Sequence, residues 1–395
     1  MDLKPKETIG EVRTELALKL EMAKDEGKKV VGLMCSYFPV EMALAAGAIP
    51  VGLCGTTEEP IAAAEKVLPA DQCPMVKATY GRAVSNTCPL FPLADCVVGE
   101  TTCDGRKKMY ELLAREKPMH VMDLPQKPEE KEALIHWTAE MRKLKAFLEG
   151  QLGVEITDEG LRKAIRQINK ERRLLKEIHS CRKHHPAPIM GMDLIGLTTK
   201  FAYTVDRDEY TAKLTALLDE LNRRIREKEF ACSPARPRIL WTGLGNSLGC
   251  DKVLKLVEEC GGVVVCQEGC GGVTRFDDLV DEEAENPIQA LAERYLRVTC
   301  SCMTPNTFRF EQIDRLISEY HIQGVIDLTW QFCHTFNIES YRVSELVKGK
   351  HGLPFLHVVT DFSKSDVGQL RVRIEGFIEQ MTMGRNDASD RGLQG

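Results

Sequence analysis

No two of the fifteen cysteines in this 395-residue chain are spaced C-x2-C. That absence argues against a zinc ribbon and against the bacterial ferredoxin motif, both of which take two ligands from one short turn. There is no G-x4-G-K-[ST] segment, so hydrolysis of ATP on a P-loop is excluded. No block of lysine and arginine stands out against a net charge of −6, and nothing points to nucleic acid. The opening residues, MDLKPKETIGEVRTEL, are charged and amphipathic and do not read as a secretory leader. No apolar run stays unbroken for the width of a bilayer. Val30 to Cys54 comes nearest, with Glu41 as its one charge, but Pro39, Gly47 and Pro50 divide it into pieces that read as strand–helix–strand. Cysteine is also too sparse for a disulfide scaffold. With no export signal, a cytoplasmic location is expected, and there clustered cysteines signal metal or redox chemistry.

What is present is an α/β rhythm in two halves. The length fits two or three domains. An amphipathic helix over 7–25 precedes the short buried strand KVVGLM, the helix PVEMALAAG and the strand IPVGL. EEPIAAAEKVL reads as helical, DCVVGE as a strand, GRKKMYELLAREK as a helix and MHVMDL as a strand. Strands alternating with helices predict a parallel sheet covered on both faces. From Pro128 the period changes. Three helical stripes run through Leu134–Leu148, Leu161–Ile178 and Tyr210–Ile225, with Gly150 expected to stop the first and HHPAPIMG a loop. The rhythm returns with RILWTGL, VVVC, GVIDLTW and LPFLHVV, and a helix over 366–382 closes it. The expected fold is α/β, with two Rossmann- or flavodoxin-like parallel-sheet domains and an inserted helical segment. The expected boundaries are 1–127, 128–232, 233–385 and a disordered tail at 386–395.

The stretch from Asp71 to Leu112 organises the chemistry. Cys73, Cys88 and Cys103 recur at one spacing, and two of them precede proline, which disfavours helical angles at the residue before it. Cys73 and Cys88 are therefore expected at loops or element ends. Open α/β sheets bind ligands beyond the carboxyl ends of their strands. Cys35, Cys54, Cys103, Cys266 and Cys333 fall at or just after such ends, and Cys270 and Cys300 in the loops beyond. The glycines around Cys270 allow backbone N–H groups to approach a bound anion. Cys96, Cys181, Cys232, Cys250 and Cys260 read as small hydrophobic side chains, as do Cys54 and Cys266. Within the C-x-C pair, Cys300 is preferred over Cys302. His184-His185 reads as a surface pair. The glycines of GLGNSLG (Gly243, Gly245, Gly249) miss the G-x-G-x-x-G spacing. Glu41, Glu100 and His334 are candidate proton donors near the cysteine edge, with solvated or capping roles favoured for the carboxylates.

Several segments together resemble one family: CSYFPVEMALAAGAIPV, LPADQCPMVKATYG, CPLFPLADCVVGETTCDGRKKMYELL, CQEGCGGVTR, RYLRVTCSCMTPN and TWQFCHTFNIES. They resemble the 2-hydroxyacyl-CoA dehydratase and benzoyl-CoA reductase superfamily, and within it the double-cubane cluster proteins. The resemblance implies a [4Fe–4S] cubane held by Cys73, Cys103 and Cys333. For a double-cubane [8Fe–9S] cluster it implies a second set, assigned to Cys88, Cys270 and Cys300 with Cys35 as substitute. It also implies low-potential electrons from an ATP-hydrolysing iron–sulfur activator of the actin-like ATPase class, reduction of a small unsaturated molecule, and a homodimer. Two alternatives stay open: an (R)-2-hydroxyacyl-CoA dehydratase subunit with one cubane, and a non-catalytic cluster-binding protein.

Overall fold

A computed structural model describes residues 8–244 and 247–391. The chain starts with α1 (Ile9–Asp25), β1 (Val30–Leu33), α2 (Val40–Ala45), β2 (Ile49–Gly52), α3 (Ile61–Ala64), α4 (Pro74–Val84), β3 (Cys96–Glu100), α5 (Asp104–Leu113) and β4 (Met119–Met122). Four helices follow: α6 (Lys131–Leu152), α7 (Asp158–Ser180), α8 (Gly191–Ala202) and α9 (Arg207–Glu227). The second half has β5 (Arg238–Gly243), α10 (Lys252–Glu259), β6 (Val263–Gln267), α11 (Pro287–Leu296), α12 (Thr307–Glu319), β7 (Gly324–Trp330), α13 (His334–Glu345), β8 (Phe355–Thr360) and α14 (Val367–Arg391).

The strands form two four-stranded sheets, ordered β2-β1-β3-β4 and β6-β5-β7-β8, with every pairing parallel. The α/β class expected from the sequence is the one observed. Alternate residues of each strand serve opposite faces. Val30 and Val97 pack on one side of the first sheet, and Val31, Cys96 and Val98 on the other. In the second sheet Ile239, Trp241 and Leu328 face one core, and Leu240, Val265 and Val325 the other. Both faces are covered, which is why these strands read as unbroken apolar runs. Pro50 is tolerated because β2 is an edge strand.

Local signals start the helices. Thr8 and Glu11 form a reciprocal capping box on α1, and Thr157 caps α7 ahead of Asp158 and Glu159. The middle helices α7, α8 and α9 share a core of their own through Ile178, Leu194, Tyr210 and Leu214, and the segment also packs on both lobes. Trp137, Met141 and Leu144 of α6 share one core with Tyr37, with Met42 of α2, and with Leu291 and Tyr295 of α11. A fully buried ion pair, Arg172–Glu41 at 2.7 Å, ties α7 to α2, and Tyr295 donates to Glu41 at 2.7 Å. The helical segment thus joins the two lobes.

The structure corrects several local expectations. Helix α6 runs past Gly150 and is capped by Gly153, which takes the left-handed angles a C-cap needs (φ 68°). Only Ile61–Ala64 of EEPIAAAEKVL is helical, while α4, not anticipated, begins at the proline after Cys73. Proline at the first helical position sacrifices no intrahelical hydrogen bond. Helix α14 continues to Arg391, into the segment expected to be a disordered tail, since neither proline nor glycine interrupts 385–391. Residues 392–395 and Gly245 of the GLGNSLG turn lie outside the described residues. Among the described residues, no helix is long and apolar enough to cross a membrane.

Candidate functional site: a thiol-lined cleft

The strand orders place a topological switch between β1 and β3 in one sheet and between β5 and β7 in the other, where crossovers leave in opposite directions and open a crevice. A cavity of about 1020 Å³ lies there, walled by both lobes and by α7 and α8. Nine of the fifteen cysteines line it: Cys35, Cys54, Cys73, Cys103, Cys250, Cys270, Cys300, Cys302 and Cys333. Six of them are the two sets of ligands that the resemblance implies, with Cys35 in place of Cys88.

The first group is Cys73, Cys103 and Cys333. Each stands at the N-cap of a helix, α4, α5 and α13 respectively. Backbone N–H groups of the first turn lie near each sulfur without closing a side-chain cap: those of Met75 and Val76 near Cys73, of Arg106 near Cys103 and of Phe336 near Cys333. Unpaired N–H groups and the positive end of the helix dipole favour a thiolate at such positions. The Cys73 thiol pairs with that of Cys333. A hydrogen bond from Cys333, reinforced by those backbone donors, holds Cys73 below the usual thiol range. Cys333, the proton-keeping partner, is held high by that hydrogen bond and by burial. Burial raises Cys103, which lies in the field of Cys333 and Cys300.

The second group is Cys35, Cys270 and Cys300, the loop residues after β1, after β6 and after α11. Burial raises Cys35, and the neighbours in its field include Glu100, Cys270 and Cys300. Burial pushes Cys270 up to about 12, with Cys300 next to it and Ser36 hydrogen-bonded to its sulfur. The Cys270 loop turns through Gly269 at φ 104°. At Gly272 a Cβ would fall 2.0 Å from the carbonyl oxygen of Gln267, so only glycine lets the loop close so tightly. Cys300 is raised first by a hydrogen bond with Cys302 and then by burial. Cys302 lies behind it, 3.8 Å from the Tyr37 hydroxyl, which donates to Val298 O at 2.9 Å. Thr304 N donates to Gln126 O at 2.7 Å, and Ser301 to Thr335 at 2.9 Å, so this loop is fastened to both lobes.

Arg106 was not singled out by sequence reasoning, yet it lies among both groups. Its charge acts on Cys73 and Cys103 of the first and on Cys35 and Cys270 of the second. The signal was present: Arg106 is the arginine of CDGRKK, one helical turn from Cys103. Glu100, at the end of β3, is fully buried rather than solvated, and neither carboxylate oxygen has a hydrogen-bond partner. Burial pushes it up to about 8. Glu41 is likewise buried, in the ion pair described above. His334 is exposed at the cavity rim. Trp330, on the cavity wall, has an indole N–H with no partner.

Cys88 is the one member of the expected set that does not reach the cavity. It is 4% exposed and packs with Leu90, Phe91 and Tyr80 in the first lobe's core. Its equal spacing from Cys73 and Cys103 has no spatial counterpart, because α4 turns the chain away between them. Cys35, the substitute, does line the cavity. Cys266 lies within β6 and packs into the core behind it. His184 and His185 are both exposed.

Among the described residues, no three Cys, His, Asp or Glu side chains converge closely enough to hold a single metal ion. An iron–sulfur cubane makes a different demand, because each thiolate binds a different iron and the ligands stand apart by the width of the cluster. Soft, desolvated sulfurs from both lobes, a cation among them and a partnerless N–H on the wall suit an anionic cluster with hydrogen-bond-accepting sulfides. The donor set therefore fits.

Two parallel α/β lobes enclosing a thiol-lined cleft define the class. Residues 35–381 match the family described as 2-hydroxyglutaryl-CoA dehydratase, D-component, and the chain belongs to the 2-hydroxyacyl-CoA dehydratase and benzoyl-CoA reductase family. It is 39% identical over 360 residues to the YjiM protein of Escherichia coli strain K12, covering 91% of this chain and 93% of that one. It is 26% identical over 361 residues to the (R)-phenyllactyl-CoA dehydratase beta subunit of Clostridium sporogenes (90% and 92%). It is 25% identical over 174 residues to a benzoyl-CoA reductase subunit of Thauera aromatica (43% and 44%).

Proposed function

We propose that this chain is the iron–sulfur component of a reductase that carries a double-cubane cluster, with Cys73, Cys103 and Cys333 holding one cubane and Cys35, Cys270 and Cys300 the other. The observation that supports this reading is that six cysteines from both lobes line one cavity, enough for two sets of three. When bound, the clusters would supply low-potential electrons. The protein's part is to position and to exclude. Three helix N-termini and the Cys270 loop fix the sulfurs, while Trp330 and Phe336 make the wall around Cys333 apolar. Metal binding would displace the protons that burial keeps on these thiols. With no P-loop in this chain, the energy for low-potential electrons would come from a separate ATP-hydrolysing activator, and the acceptor would be a small unsaturated molecule.

The names of the relatives favour a second reading, a 2-hydroxyacyl-CoA dehydratase subunit holding one cubane through Cys73, Cys103 and Cys333. Iron and sulfide analysis of anaerobically purified protein separates the two. About eight irons per chain is the expected result, and about four would select the dehydratase reading.

A further inference from the structure

Arg106, one of several cations on the cavity wall, has no carboxylate among the hydrogen-bond partners it shows. Arg106 donates to Met34 O, to Tyr110 Oη at 3.4 Å, to Cys54 Sγ at 3.5 Å and to Met75 Sδ at 3.2 Å, all uncharged acceptors. The carboxylate in its field, Glu100, is one that burial keeps protonated at neutral pH. A guanidinium holds its charge at any pH a protein meets, and an enclosed charge is costly without a counter-charge. Through its hydrogen bonds Arg106 reaches the residue before Cys35 and the first turn after Cys73, and it stands in the first turn of the helix that Cys103 opens, so it adjoins thiols of both sets.

We propose that Arg106 is the counter-charge shared by the two thiol triads, and that it makes the reduction potential of the bound cluster less negative. The inference rests on the cluster reading above. Its physical basis is that an added electron raises the negative charge at the site, so a fixed cation stabilises the reduced form more than the oxidised form. Because Arg106 faces both triads, it favours an electron on either.

The test is an anaerobic, EPR-monitored redox titration of the wild-type holoprotein beside Arg106→Lys and Arg106→Met, with iron content measured on each. The expected result is a midpoint potential near wild type in Arg106→Lys and a more negative one in Arg106→Met. Loss of iron from Arg106→Met but not from Arg106→Lys would support the same role. An unchanged potential in iron-replete Arg106→Met overturns the inference, and so does equal loss of iron from both variants with native circular dichroism, which would assign Arg106 to shape rather than charge. Wild-type protein without iron or sulfide would instead overturn the cluster reading itself, so the two failures are distinguishable.

Discussion

Cys73 and Cys333 both pack against the core of the second lobe, although one opens α4 in the first lobe and the other opens α13 in the second. The cavity that both line therefore needs the two sheets to be docked.

Serine at Cys73, Cys103 or Cys333 is therefore expected to remove one cubane and leave the fold intact. Iron should fall from about eight to about four per chain, with unchanged circular dichroism. Full iron retention in all three variants would contradict the assignment.

Cys35 and Cys88 give the sharpest contrast. Cys35→Ser is expected to lose about half the iron, whereas Cys88→Ser should keep it all. Cys88→Ser instead places a hydroxyl in the core beside Leu90 and Phe91, at about 1–3 kcal/mol of stability. Chemical denaturation and iron analysis of the same two preparations read both effects.

Gly272→Ala is expected to disturb the Cys270 loop, since its methyl would meet the Gln267 carbonyl. Overpacking of this kind costs about 1–3 kcal/mol. The variant should show a lower denaturation midpoint together with reduced iron, while Gly150→Ala, where a Cβ meets nothing within 4 Å, should show neither.

Glu100 makes stability of the metal-free protein depend on pH. Its carboxyl titrates at about 8 in the folded chain, against an ordinary 4.5. Between these values the folded state binds the extra proton, so this contribution is complete below about 4.5, declines as pH rises and is lost above about 8. Glu100→Gln should flatten that decline, by on the order of a few kcal/mol. Urea unfolding of apoprotein at about pH 5 and about pH 8 measures it, and parallel declines in both proteins would refute it.

Arg309 is fully buried and hydrogen-bonds Glu268 at 3.1 Å and also Glu339. Arg309→Ala removes the buried counter-charge of both carboxylates, leaving Glu268 the Gly243 N–H and Glu339 the Asn306 amide among their donors, and should cost about 3–5 kcal/mol. Thermal unfolding reads the loss directly.

Much of the fold was legible because burial on both faces of a parallel sheet writes its strands as apolar runs, and glycine or proline marks their ends. Among the described residues β1, β3 and β6 follow that rule most closely, while β2, β4 and β8, at sheet edges, are only partly buried. What escaped, such as α4 and the stop of α6, turned on a proline that opens a helix and on which of two nearby glycines took left-handed angles. Neither choice leaves a periodic trace.

For the site, the sequence by itself determined which thiols follow strand ends, because side chains there must emerge at the carboxyl edge of a parallel sheet. That was enough to bring Cys35, Cys103 and Cys333 under consideration, with Cys270 and Cys300 in the loops beyond, while Cys73 was marked by its spacing and by the proline after it. Only the tertiary structure put Cys35 on the cavity wall and Cys88 in the core, and only it brought Arg106 to the same wall. The reason is geometric. Spacing along a chain limits how far apart two residues can be, but the direction in which each points is set by packing between elements distant in sequence.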